Sequence, residues 1–166
     1  MKDNIRFTEE RIKIVEKNKD KIERKSDTDI TINGLDVSVE GEAVDVLKAR
    51  NIMDALFEGF TLDESFKLLN EKNQLKVVRL KDFASSGMSV EKLKGRIIGE
   101  GGRTKRLIEE LAKVSLSVHG KNVSMIGNAR EVSAATKAVQ MLVNGKPHNK
   151  VYRYLEQNQP DNEEMV

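Results

Sequence analysis

The chain has no cysteine, no tryptophan, only two prolines and no apolar run of membrane-spanning length. Without thiols it can form neither a disulfide nor a thiolate-held metal site. The only histidines, His119 and His148, share no pattern with a nucleophile, so neither catalytic nor metal-ligating residues are expected. Aromatic residues make up 4% of the chain, too few for stacked rings to dominate a binding surface. The first twenty residues are laced with charge, unlike a secretory leader. A soluble, cytoplasmic protein with no membrane partner and no cofactor is the expectation.

Charge is present in quantity but nearly balanced: 34% of residues are charged and the net charge is +2. The imbalance is local. Residues 91–106 hold six cations (Lys92, Lys94, Arg96, Arg103, Lys105, Arg106) against two acids (Glu91, Glu100). Within this stretch lies Gly95-Arg96-Ile97-Ile98-Gly99-Glu100-Gly101-Gly102. Val90, Leu93, Ile97 and Ile98 are spaced as on a helix, and Leu107, Ile108, Leu111 and Ala112 resume that spacing. Gly99, Gly101 and Gly102 interrupt it, because glycine alone adopts positive φ freely and lets another backbone come close. The resulting helix, bend and helix present bare amide N–H groups and the positive end of a helix dipole, which attract a phosphate. An apolar pair, Ile97 and Ile98, sits beside that bend and could receive splayed bases.

Taken in order, the chain reads as a short strand at residues 4–8, a charged helix in one or two pieces with Ile12, Ile14, Val15 and Ile22 inward, and a hairpin around Asn33-Gly34. A helix with Val46, Ala49, Ile52, Met53, Leu56 and Phe57 on its buried side ends near Gly59. Thr61 and Glu64 form a capping box for a short connecting helix. Leu75 to Leu80 is a buried strand, residues 84–87 a loop, and the glycine bend follows between its two helices. Val114, Leu116 and Val118 alternate as a strand, a turn at Gly120 leads to the return strand through Val123 and Met125, and a helix runs from about Ala129 to Val143. Residues 30–59 recur at 116–145, an offset of 86: Ile30 falls on Leu116, Gly34 on Gly120, Val46 on Val132, Leu56 on Leu142 and Gly59 on Gly145. Upstream, Ile14-Val15 match Ile97-Ile98 at an offset of 83. The first copy therefore lacks three residues, and Glu16-Lys17-Asn18-Lys19 stands where the second has its glycines. Side chains there crowd any phosphate, and Glu16 repels it. The chain divides into a degenerate first unit over 1–70, an intact second unit over 71–150, and a short packing helix with a frayed tail over 151–166.

Ile97-Ile98-Gly99-Glu100-Gly101-Gly102 resembles the Ile-Gly-x-x-Gly signature of the KH domain, whose GxxG loop clamps about four nucleotides of a single strand. The resemblance implies an α+β chain of two tandem eukaryotic-type (type I, β-α-α-β-β-α) KH domains, each a three-stranded sheet packed on three helices. Carried onto these positions, Gly99, Glu100, Gly101, Gly102 and Arg103 would meet sugar-phosphate. Ile97, Ile98 and Leu116 would floor the bases. Lys92, Lys94, Arg96, Lys105 and Arg106 would attract the strand, and Ser117 would read base edges, with His119 left as a surface strand residue. Two positions depart from the common pattern: Glu100 puts a carboxylate at the clamp, and Lys105 replaces a frequent buried isoleucine. The segments Gly102 to Leu111, Asn144 to His148, Val151 to Glu156 and Leu47 to Arg50 are similar to an archaeal two-KH family related to the eukaryotic pre-ribosomal RNA processing factor called partner of Nob. That resemblance covers roughly residues 40–157. It implies binding of small-subunit (16S) ribosomal RNA near its 3′ end, in company with the maturation endonuclease.

Two other classes compete. A nucleotide-binding enzyme would need G-x-x-x-x-G-K-[ST], but here Arg103 follows Gly102 and Ile97 holds the first glycine's place. A dinucleotide G-x-G-x-x-G would need glycine at Thr104. Both fail, and no enzymatic activity is expected. A protein-interaction scaffold with vestigial KH units fits the first unit; the glycines kept in the second argue against it for the whole chain.

Overall fold

Each half of the chain folds as a strand, a helical segment, a hairpin and a long helix. The computed structural model describes residues 1–159, and the chain divides into two units, Met1–Glu71 and a second that begins at Lys72. The first unit comprises β1 (Lys2–Arg6), α1 (Glu9–Ser26), β2 (Asp29–Asn33), β3 (Asp36–Glu40), α2 (Ala43–Phe57) and α3 (Leu62–Ser65), which continues into a 3-10 turn at Phe66–Leu69. Its antiparallel sheet has the order β1-β3-β2, with Lys2 opposite Glu40 and Ile30 opposite Val39. The second unit comprises β4 (Gln74–Arg79), α4 (Val90–Ile98), α5 (Arg103–Ala112), β5 (Ser115–His119), β6 (Asn122–Gly127), α6 (Ala129–Val143) and α7 (His148–Gln157). Its sheet has the same order, β4-β6-β5.

Four of the helix starts follow from side-chain caps. Thr8 Oγ1 accepts from the amide of Arg11, Ser89 caps α4 through the amide of Lys92, and reciprocal capping boxes open α3 (Thr61 with Glu64) and α6 (Asn128 with Glu131). Both hairpins close through two-residue loops whose first member is a glycine at positive φ, Gly34-Leu35 and Gly120-Lys121. The first loop thus lies one residue beyond the expected Asn33-Gly34. β4 is an edge strand rather than a buried one: it pairs only with β6, and of its residues only Val78 is buried.

Three further differences concern the helices. In the first unit the charged stretch expected in one or two pieces is a single eighteen-residue helix, α1. Val15 and Ile22, seven residues or two turns apart, both lie on its buried face, so continuous helix satisfies the core without a bend. The last helix begins at His148, ahead of the expected 151, and packs on α5 and α6 with Val151 and Leu155 buried. The frayed tail was expected from Gln157 onward; α7 ends at that residue, and positions from 160 on lie outside the described residues. The second unit's core joins the inner face of its sheet (Leu116, Val123, Met125) to Leu93 and Ile97 of α4, Ile108 and Ala112 of α5, and Val139 and Leu142 of α6. No helix among the described residues is long and apolar enough to cross a membrane.

Candidate nucleic-acid interface

The bend between α4 and α5 is built by three glycines at positive φ: Gly99 at +76°, Gly101 at +61° and Gly102 at +76°. Gly99 ends α4, donating its amide to Gly95 O at 2.9 Å, and its ψ of 172° lies in a region reserved for glycine. A Cβ there would overlap the side chain of Thr104 and come within 2.8 Å of its backbone nitrogen. Gly102 donates to Gly99 O at 3.1 Å, closing the turn. At Gly101 a Cβ would meet nothing within 4 Å, so this point of the bend faces open space. No side chain caps the first turn of α5, which leaves that end of the helix dipole to an outside anion.

The six cations of this region divide into two groups. Arg96 is fixed on protein atoms: its Nε donates to Leu142 O at 2.9 Å and its Nη2 to Lys146 O at 2.6 Å, capping the carbonyl end of α6. Arg106 donates to Gly101 O at 2.8 Å and braces the bend from behind. Lys105 pairs with Glu109 at 3.1 Å, and Glu109 also accepts from the amide of Leu116, tying α5 to β5. Lys94 lies 3.9 Å from Glu91. Lys92 and Arg103 are exposed and have no ionic partner among the described residues.

The expected floor for bases is corrected. Ile97 and Leu116 are 0% and 2% exposed and belong to the core, because Ile97 shares the inward face of α4 with Leu93 and Leu116 points from β5 toward the helices. Ile98 and Ser117 remain half-buried, and His119 is exposed at the end of β5. Beside the bend there is instead an open trough of about 840 Å³, running between α4 and α7 and lined by Lys92, Gly95, Arg96, Arg103, His148 and Tyr152 among others. Tyr152 shares a 2.9 Å hydrogen bond with the buried Thr104, and His148 Nε2 donates to Arg96 O at 3.0 Å. Tyr152 and Tyr154 both fall on the packing helix expected from residue 151. Tyr154 does pack against the core, while Tyr152 stands at the trough. Spacing gives no sign of this, since Tyr152 and Thr104 are 48 residues apart.

In the first unit the same brace survives without the bend. Lys19 pairs with Glu23 at 2.9 Å and Glu23 accepts from the amide of Ile30, as Lys105, Glu109 and Leu116 do in the second unit. Glu23 is held below its ordinary pKa: burial pushes it up, but the bonds from the Ile30 amide and from Lys19 outweigh that. Lys19 is correspondingly raised by its bond to Glu23. With Val15 matching Ile98 and Lys19 matching Lys105, the missing residues fall on the bend itself: positions 16–18 replace 99–104.

The sequence model of the eukaryotic-type KH domain (KH-domain type I) matches residues 74–160. The chain belongs to that family. Its two units are tandem type I KH domains, and the second carries the GxxG loop as Gly99-Glu100-Gly101-Gly102. The KH chain is 39% identical over 136 residues to a KH domain-containing protein of Methanocaldococcus jannaschii, covering 82% of this chain and 59% of that one. It is related to the pre-rRNA-processing protein pno1 of Aspergillus fumigatus, with 29% identity over 108 residues, 63% of this chain and 43% of that one. It therefore spans less than two thirds of the length of these curated relatives. Among solved structures, the complex of a/eIF2alpha, aDim2p and rRNA from Pyrococcus horikoshii matches with a TM-score of 0.84 and 34% identity, over 97% of this chain and 95% of that one.

Proposed function

We propose that this protein binds unpaired RNA through the Gly99–Gly102 bend of its second KH domain. In this reading it is a cytoplasmic factor, not an enzyme, that acts in maturation of small-subunit (16S) ribosomal RNA near its 3′ end with the maturation endonuclease as a partner. The observation that carries the reading is the bend: three positive-φ glycines, unobstructed at Gly101, at the uncapped start of α5 and beside an open trough. Sugar-phosphate lies across Gly99 to Arg103, Lys92 and Arg103 contribute direct charge, and Lys94, Arg96, Lys105 and Arg106 contribute field from their fixed positions. The rRNA target is supported by the pre-rRNA-processing name of the Aspergillus relative and by the rRNA complex of the Pyrococcus neighbour.

Titration of single-stranded RNA into the protein and into a Glu100→Asp/Gly101→Asp double variant tests this. Asp tolerates the left-handed conformation at position 101 better than most residues, so the fold survives while added negative charge repels phosphate. A loss of affinity of at least tenfold is expected; equal affinity would remove the bend from the interface. Cross-linking to cellular RNA locates the bound nucleotides and tests the 3′-end assignment. For the first unit the continuous helix α1 favours a second role, a scaffold without a phosphate clamp.

A further inference from the structure

Gly95 has no conformational or packing reason to be glycine. It lies inside α4 with helical backbone, and a Cβ there would meet nothing within 4 Å. Glycine weakens a helix interior relative to alanine. What its bare Cα does is keep one wall of the α4–α7 trough open. Residues on a helix advance by about 100° each, so Lys92, Gly95 and Arg96 share a face that Lys94 and Ile98 do not. The trough is therefore a different surface from the half-buried ledge at Ile98.

Its opposite wall is rigid and aromatic. The rings of His148 and Tyr152 have centroids 6.2 Å apart, and each is fixed by a hydrogen bond, Tyr152 to Thr104 and His148 to the carbonyl of Arg96. Lys92 and Arg103 stand at its margins without ionic partners among the described residues, and Asn149 is exposed at its rim. Met88 is the sole aliphatic side chain among the trough's lining residues, the rest of its apolar surface coming from rings and the stems of polar side chains, and Glu100 is the one carboxylate set against the cations.

We propose that this trough receives one further unpaired nucleotide of the RNA strand, beyond those held by the bend. Its base lies against Tyr152 and His148, its phosphate is drawn to Lys92 and Arg103, and the Asn149 amide meets the base edge. Pre-set rings lose little freedom on binding, which favours stacking here over a mobile surface side chain. The inference rests on the RNA-binding reading above and extends it to a second subsite walled by α7.

The test uses the full chain with random-sequence RNA tetramers, long enough for the bend alone, and octamers, long enough for bend and trough. Gly95→Gln puts a neutral side chain into the trough at a helical position without strain, and Asn149→Ala removes the rim amide. Both are expected to leave tetramer affinity and melting temperature at or above the native values. Octamer affinity should fall about tenfold for Gly95→Gln and about threefold for Asn149→Ala. Gly101→Asp, by contrast, weakens both lengths. If Gly95→Gln binds octamer as the native protein does while Gly101→Asp loses both, the bend stands and the trough subsite is overturned, leaving that surface to a protein partner. An equal loss on tetramer and octamer for Gly95→Gln also overturns a separate subsite. Should Gly101→Asp retain both lengths, the bend reading fails and takes the subsite with it.

Discussion

Gly99 and Gly101 differ in backbone conformation and in what stands behind the Cα. At Gly99 a methyl group would run into Thr104 in addition to the glycine-only backbone, so Gly99→Ala is expected to lower unfolding stability by about 3 kcal/mol in urea denaturation. Gly101→Asn, open to solvent and in a left-handed conformation that Asn accepts, should cost less than about 1 kcal/mol. A similar split holds for the cations. Arg96 carries two hydrogen bonds to carbonyls at the end of α6, so Arg96→Ala should cost about 2 kcal/mol; Lys92→Ala should leave stability unchanged and weaken RNA. Denaturation and RNA titration of the two variants check this, and a stability loss at Lys92 would contradict it. Composition made the six cations visible as a cluster. It did not distinguish braces from free charges, because the partners of Arg96, Leu142 and Lys146, lie 46 and 50 residues away.

At the scale of elements, α1 differs from α4, bend and α5 at the bend itself. Three residues in place of six remove the bend, Asn18 bonds back to Ile14 O within the helix, and the Lys–Glu–amide brace continues unchanged. The brace ties the helix to the first strand of the hairpin in each unit. It also has a pH signature. Because Glu23 titrates lower in the folded state than in the unfolded chain, its ionised form stabilises the unit above about pH 4.5, and this contribution disappears as pH falls through the folded pKa. Glu23→Gln should therefore melt at a lower temperature than the native chain at pH 7, with the gap shrinking as pH drops below about 4.5. A gap that did not shrink at all on acidification would mean the charge is not its source. The second hairpin turn at Gly120 and the capping box at Thr61 were readable locally, since each is set by residues within four positions of one another. The fusion of α1 was less so: its glycine-free sequence permits a bend or a helix, and burial of both Val15 and Ile22 selects the helix.

For the molecule as a whole, a net charge of +2 gives no strong general attraction to nucleic acid, so the proposed binding would draw on the local cluster in the second KH domain. With about four phosphates engaged on a single strand, log affinity should fall against log salt with a slope of about −3. Fluorescence titrations from low to moderate salt measure it, and a slope near zero would rule out phosphate contact. The sequence by itself determined that there are two related units, the order of most of their strands and helices, and that only the second bends through glycine. Those features are written in short-range periodicity, in caps and in the dihedral freedom of single residues. The tertiary structure alone decided that Ile97 and Leu116 face the core, that Arg96, Lys105 and Arg106 hold protein atoms, and that α7 walls a trough beside the bend. Each of those depends on groups brought together by packing rather than on their neighbours in the chain.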